Sequence, residues 1–143
     1  MNFNNLNINE RLKNKIKEVG FNELTPIQEK CIPEILKNKD VVGQAETGSG
    51  KTLAFCLPIL DIIKNDSGLQ ALILTPTREL CIQVTTVLRD FGENLGLNIF
   101  DIYGGVSIDP QIKNIKKTNI IVATPGRLLD HIGRRTIDFK DIK

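Results

Sequence analysis

The chain is poor in the residues that most often carry metal or redox chemistry. Its 143 residues include one histidine, His131, and three cysteines, Cys31, Cys56 and Cys81. A lone imidazole with no identifiable company cannot anchor a zinc-type cluster or a His-based triad. The cysteines are odd in number, widely spaced and set in apolar, helix-like surroundings. They read as buried free thiols of a reducing compartment, not as disulfide or metal partners. No apolar run reaches membrane-spanning length and no secretory leader is legible. The expected setting is therefore cytoplasmic, with the nucleus left open and no membrane partner. Neither sign of charge prevails: 19 Lys and Arg against 17 Asp and Glu leave +2. The distribution is less even, with 11 basic and 14 acidic side chains in residues 1–112 but 8 and 3 in residues 113–143. A basic C-terminal part suits a nucleic acid, and equally an ordinary solvated face.

What is present is globular in character, with 41% hydrophobic and 25% charged residues, enough for one domain or part of one. The chain is organised around Ala45-Glu46-Thr47-Gly48-Ser49-Gly50-Lys51-Thr52. A short apolar run, Val41-Val42, precedes it, and the helix-like run Leu53-Ala54-Phe55-Cys56-Leu57 follows. Strand, glycine-rich turn, Gly-Lys-Thr and helix together are the context of a phosphate-binding loop. Gly48 and Gly50 permit backbone N–H groups to turn inward on an anion, and the helix N-terminus adds partial positive charge. Lys51 can reach the outer phosphates, and the Thr52 hydroxyl can ligate Mg²⁺. Ala45 replaces the first glycine of the usual pattern.

The spacing predicts a helix from Asn9 to Val19, with Leu12, Ile16 and Val19 on one face and Gly20 at its end. Thr25-Pro26-Ile27-Gln28 opens another, with Thr25 as N-cap, Pro26 at N1 and Gln28 completing a capping box. Ile27, Cys31, Ile35 and Leu36 are its expected inward face, and Pro33 a kink. Val41-Val42 is expected to be a strand. A helix follows the loop to about Lys64 with Leu53, Leu57, Leu60 and Ile63 inward, then a turn over residues 65–68. Ala71 to Leu74 does not alternate and reads as a buried strand. A helix with Leu80, Val84, Val87, Leu88 and Phe91 follows. Residues 99–103 form the next strand, closed by Gly104-Gly105. A short helix at 110–117, a strand at Ile120 to Ala123 and a helix through Ile132 complete the series. Strands alternating with helices argue an α/β fold with a mainly parallel sheet flanked by helices. Ligands then bind beyond the C-terminal strand ends.

One corner is repeated. Thr75-Pro76-Thr77-Arg78 and Thr124-Pro125-Gly126-Arg127 both follow a strand and open a helix, expected at the same sheet edge as the phosphate loop. Thr as cap and Pro at N1 suffice to start a helix. Hydroxyls, guanidinium groups and helix N-termini together also suit a phosphodiester backbone, bound without reading bases. Gly104-Gly105 is either a plain turn or a place where another backbone comes close.

These residues resemble the first RecA-like domain of DEAD-box RNA helicases. Gly20-Phe21 with Thr25-Pro26-Ile27-Gln28 is similar to the family's Q motif, Phe3 standing at the upstream aromatic position. Residues 45–52 resemble motif I, residues 76–80 motif Ia, Gly104-Gly105 the glycine doublet and residues 124–127 motif Ib. The order is that of the family and the motifs cover most of the chain. The resemblance implies a RecA-like P-loop NTPase domain over residues 1–143, with the Q motif at about 3–28. It implies ATP and Mg²⁺ as cofactors, with Phe3 stacking on adenine and Gln28 bonding its edge. Phe21 and Thr25 would complete that site. Residues 45–52 would hold the phosphates, with Lys51 and Thr52 catalytic and Thr52 on the metal. Glu46, where many members have Gln, receives no role of its own. Pro76, Thr77, Arg78, Gly104, Gly105, Thr124, Pro125, Gly126 and Arg127 would line an RNA path. The function implied is ATP-dependent unwinding of short RNA duplexes; the alternative is a binding module without turnover. No Asn-Lys-x-Asp guanine signature points to a GTPase instead.

The resemblance also marks what is not in the chain. Asp-Glu-Ala-Asp, Ser-Ala-Thr and a second RecA-like domain are all missing. Asp101 is no substitute for the metal-holding carboxylate, since it lies mid-strand and no Glu follows it. The expectation is a C-terminally truncated domain. Its Val41-Val42 strand would lack neighbours, and the fragment alone would be marginal or oligomeric, and inactive.

Overall fold

Helices in the first part of the chain begin and end where their caps predict. The computed structural model describes residues 1–66 and 68–143. Helix α1 (Glu10–Val19) is capped by Asn9, whose side-chain oxygen accepts from the Arg11 N–H at 2.8 Å. It closes on Gly20 at φ +90°, with Gly20 N–H bonded to Lys17 O at 3.0 Å and Phe21 N–H to Ile16 O at 3.1 Å. This paired bonding requires a left-handed residue, which glycine adopts without strain. Leu12 and Ile16 are buried, whereas Val19, on the same stripe but in the last turn, is exposed.

Helix α2 (Pro26–Leu36) continues through Pro33. Its buried stripe is Gln28, Cys31 and Ile32, while Ile27, Ile35 and Leu36 are half-buried. The inward face is therefore turned toward Gln28, a polar residue that apolar periodicity does not register. Helix α3 (Lys51–Ile62) buries Ala54, Cys56, Leu57, Pro58 and Leu60, and leaves Leu53 half-buried. These helices, the 3₁₀ turn at Phe3–Asn5 and residues Asp90–Leu95 make up one of two units of the chain. Val41-Val42 is not a strand: both residues lie in irregular backbone and Val42 is fully exposed. A strand exists only when another pairs with it, and no described residue does so here.

The second unit comprises Ile63–Arg89 and Gly96–Lys143. It holds β1 (Ala71–Leu74), all but the end of α4 (Arg78–Gly92), β2 (Ile99–Ile102), α5 (Asp109–Ile115), β3 (Ile120–Ala123) and α6 (Pro125–Gly133). The three strands form a parallel sheet in the order β1-β3-β2. Central β3 is wholly buried, as its unbroken apolar run requires. β1 is an edge of this sheet, half-buried from Ala71 to Ile73 and 57% exposed at Leu74, which corrects its reading as a buried strand. α4 turns Cys81, Val84, Thr85 and Leu88 inward and leaves Leu80 exposed. At the N-terminal ends of the strands, buried Asn119 accepts from Asn98 N–H at 3.0 Å and donates to Asp66 O at 2.7 Å. Both valences of a buried amide are thus satisfied.

The expected turn at 65–68 includes Ser67, which lies outside the described residues. Cys31, Cys56 and Cys81 are free and buried, and burial pushes the Cys56 thiol up to about 12. Among the described residues no helix is long and apolar enough to cross a membrane.

Candidate nucleotide site and nucleic-acid interface

In the first unit the glycine-rich loop runs into α3. Gly48 and Gly50 take φ +82° and +88°, the left-handed region that their position in a tight loop calls for. Ser49 N–H bonds Glu46 O at 3.2 Å, and Gly50 O receives the first bond of α3 from Ala54 N–H at 3.2 Å. The Lys51 ammonium folds back onto the Ala45 carbonyl, closing the loop upon itself. Thr52 is half-buried in the first turn of α3. The Ser49 hydroxyl is buried without a hydrogen-bond partner among the described residues. An unpaired buried hydroxyl and a lysine held on a carbonyl fit a loop built to receive anionic oxygens.

The N-terminus of α2 is joined to this loop. Gln28 Oε1 accepts from Thr25 N–H at 3.0 Å, and Gln28 Nε2 donates to Gly50 O at 3.1 Å. The capping-box arrangement is present, but only its Gln28 half makes a hydrogen bond of good geometry. Thr25 Oγ1 is left buried without a partner among the described residues. Gly50 presses on this junction: a Cβ there would stand 2.5 Å from Gln28 Nε2 and 3.0 Å from Thr25 Oγ1. Gln28 is thus a cap and a tether of the phosphate loop at once.

The aromatic positions divide differently from expectation. Phe3 is 3% exposed, packed into the interior. Its segment is held there by Phe3 N–H to Asn22 O at 3.2 Å and Leu24 N–H to Met1 O at 2.9 Å. The ring offers no open face for stacking. Phe21 does: it is 42% exposed, with its other side parallel to Phe91 at 6.4 Å between centroids.

In the second unit the two Thr-Pro corners and the glycine doublet come together. Leu74, Ala123 and Ile102 are aligned in register at the C-terminal ends of β1, β3 and β2. Thr75 N–H to Ala123 O (2.9 Å) and Thr124 N–H to Ile102 O (3.0 Å) extend the ladders by one bond each. The corners are not equivalent, however. Thr124 is the N-cap of α6, with Pro125 at N1 as predicted. In α4 the capping hydroxyl belongs to Thr77, which accepts from Leu80 N–H at 3.2 Å, and the helix starts at Arg78. Thr75 is buried instead, its hydroxyl donating to Thr77 O at 3.3 Å. The second threonine of Thr-Pro-Thr displaces the first as cap, and Gly126 cannot do the same.

Pro76, Thr77, Arg78, Gly104, Gly105, Pro125 and Gly126 are exposed, and Thr124 and Arg127 half-buried. The Arg78 guanidinium lies over the Tyr103 ring at 4.6 Å. Gly105 has φ +82° and turns the chain beside Arg78, whose Nη1 would be 3.8 Å from a Cβ there. Arg127 donates from Nη1 to Gln111 Oε1 at 3.1 Å and from Nη2 to Val106 O at 2.9 Å. Gln111 Nε2 donates to Tyr103 O at 3.0 Å. His131, buried, places Nε2 at 3.0 Å from Gln111 Oε1 and Nδ1 at 2.7 Å from Thr136 Oγ1. Burial pushes its imidazole below the usual histidine range; the Arg127 charge adds to this and Asp130 opposes it. Motif reasoning passed over Tyr103, Gln111 and His131. The available signal was helical spacing, since His131 stands one turn beyond Arg127 on the inward side of α6. Gln111, in a helix of one or two turns, gave none.

The model of the DEAD/DEAH box helicase family matches residues 25–143. A probable ATP-dependent RNA helicase of Methanocaldococcus jannaschii is 48% identical over 144 residues, covering 100% of this chain and 39% of the relative. A DEAD-box ATP-dependent RNA helicase of Bacillus subtilis is 49% identical over 142 residues, covering 98% of this chain and 29% of its own. Among solved structures, a DEAD box protein of the hyperthermophile Methanococcus jannaschii matches with a TM-score of 0.96 at 48% identity, over 100% of this chain and 40% of that one. A hypothetical ATP-dependent RNA helicase of Sulfolobus tokodaii matches at 0.86 and 42% identity, over 94% and 39%. The chain therefore spans well under half the length of these relatives.

Proposed function

The chain belongs to the DEAD/DEAH box helicase family, and on that premise we propose that residues 1–143 form the ATP- and RNA-binding part of one RecA-like domain in an ATP-dependent RNA helicase. The observation that carries the RNA half is the alignment of Thr75–Arg78, Gly104-Gly105 and Thr124–Arg127 at one end of three parallel strands in register. Such an edge offers arginines, hydroxyls and an open glycine turn to a phosphodiester backbone, and contacts to the backbone position a strand without reading its bases, so the proposed binding is independent of sequence. Pro76, Thr77, Arg78, Gly104, Gly105, Thr124, Pro125, Gly126 and Arg127 are its proposed contacts.

For the nucleotide, residues 45–52 cradle the phosphates, with Lys51 on the outer ones and Thr52 on Mg²⁺. When bound, ATP would supply the phosphoanhydride whose hydrolysis drives the cycle, and Mg²⁺ would neutralise the charge on its phosphates. Gln28 and Thr25 face the loop, and Phe21 is the proposed stacking surface for adenine in place of Phe3, because of the two it is Phe21 whose ring is exposed. One Gln28 N–H and one lone pair remain after its two internal bonds, and these are the groups the proposed adenine contact would use. The work proposed for the full protein is local opening of short RNA duplexes, in a cytoplasmic setting that three free buried thiols support.

Two measurements test this reading. RNA should stimulate ATP hydrolysis by the full protein carrying this chain, and Lys51→Ala should abolish the activity. ATP should also raise the melting temperature more than GTP; a ligand at a hundred times its dissociation constant adds about 2.7 kcal/mol. Gln28→Ala should narrow that difference. Equal shifts with both nucleotides in the unaltered protein would refute the adenine assignment.

A further inference from the structure

The two arginines of the proposed RNA edge sit on different helices, yet one side chain bonds the first and also the residue whose ring underlies the second. Gln111 Oε1 accepts from Arg127 Nη1 at 3.1 Å, and Gln111 Nε2 donates to Tyr103 O at 3.0 Å. The Tyr103 ring in turn lies beneath the Arg78 guanidinium at 4.6 Å. We propose that Gln111, oriented by His131, is a positioning residue that sets Arg127 and the Tyr103 platform of Arg78 for the nucleic-acid backbone. This rests on the reading of that edge as an RNA track.

The orientation of the amide follows from its partners. Arg127 can only donate, and Tyr103 O can only accept, so Oε1 must face Arg127 and Nε2 must face Tyr103. His131 Nε2, 3.0 Å from the same Oε1, must then carry a proton. In the neutral ring Nδ1 accepts from the Thr136 hydroxyl at 2.7 Å, which commits that hydroxyl's single proton to the ring and not to the His131 carbonyl 3.2 Å away. His131 is buried and so does not itself touch RNA. Turning the amide over would set its N–H groups against the Arg127 guanidinium and its oxygen against the Tyr103 carbonyl.

What this provides is preorganisation. A free arginine surrenders rotamer freedom when it grips a phosphate; one already held by Gln111 Oε1 and by Val106 O at 2.9 Å has surrendered it beforehand. The guanidinium retains donors beyond the two used internally, and these are what a phosphate meets. The same hub holds Tyr103, and so the approach to Gly104-Gly105, at the other side of the edge.

The experiment is a double-mutant cycle in the full protein, read as binding of a short oligouridylate with a non-hydrolysable ATP analogue present. Melting curves confirm that each variant is folded. Gln111→Met should weaken RNA binding about tenfold while leaving every arginine in place. It should also reduce the slope of log affinity against log salt by about 0.7, the loss of one phosphate contact on a single strand. In an Arg127→Ala background the same change should cost clearly less than tenfold, because only the hold on the Tyr103 platform is then left to lose. Equal losses in both backgrounds, or an unchanged salt slope, would overturn the positioning role while leaving the RNA track intact. No effect of Arg127→Ala on RNA affinity would instead overturn the track itself, and the proposal with it. Should Gln111→Met fail to fold, Gln111→Asn, an amide one bond too short to reach Arg127, takes its place in the cycle with the same expected outcomes.

Discussion

Gln28 donates from its side-chain amide to the carbonyl of Gly50 at 3.1 Å, joining the start of α2 to the phosphate loop. The contact is close enough that a side chain at position 50 would displace the Gln28 amide. At φ +88° an alanine is already strained, and its Cβ would meet Gln28 Nε2 at 2.5 Å. Gly50→Ala is therefore expected to cost about 2 kcal/mol or more, from the left-handed backbone and the displaced amide together. A urea titration reads this as a lower midpoint. Nucleotide binding should fall with it, because the loop cannot keep its shape. A Gly50→Ala protein as stable as the parent would show that the junction yields freely.

Gly126 makes the opposite case. It lies in the first turn of α6, and a Cβ there would meet no described atom within 4 Å. Alanine suits a helix better than glycine by about 0.5–1 kcal/mol, so Gly126→Ala should raise the melting temperature. If the glycine is there to let an RNA backbone approach, the same variant should bind RNA more weakly. A variant that is more stable and binds equally well would assign Gly126 to the helix alone.

These two glycines also show what could be read from the chain by itself. Caps and turns are local: Asn9, Gly20 and Pro26 each announce their helix end through chemistry confined to a few residues. Pairing is not local. Val41-Val42 has the composition of a strand, but no described residue pairs with it and it stays irregular. The Thr-Pro repeat was visible as a pattern, yet the switch of the cap from Thr75 to Thr77 depended on which hydroxyl reached a free N–H. The hub of Gln111 and His131 was the least legible part. It joins residues 20 positions apart through side chains alone, and neither has an apolar period to mark it.

His131 should make stability depend on pH in a known direction. Its folded value lies below the usual 6.5, chiefly through burial and then through the Arg127 charge. Between those two values the unfolded chain binds more protons than the folded one. The stability contributed by the neutral ring is therefore complete above about pH 6.5 and is lost as pH falls through the folded value. Melting temperatures measured from about pH 7.5 down to 5.5 should decline, and His131→Gln should flatten that decline. An equally steep profile in the variant would place the titrating group elsewhere.

Leu74 ends β1, on an edge of the sheet, and is 57% exposed on the side of the strand where no other strand pairs among the described residues. An apolar side chain on an open edge invites a second copy to add a strand. Residues 1–143 expressed alone should accordingly associate as concentration rises, seen as a growing weight-average mass in sedimentation. Leu74→Lys should suppress this, because a charge on the edge must be desolvated or repelled when two copies meet. The cost to the fold itself should be small, within about 0.5 kcal/mol, since the site is already in contact with water. A strictly monomeric parent protein would mean that the edge is protected by something other than a neighbouring strand. Association unchanged by Leu74→Lys would move the contact to another face.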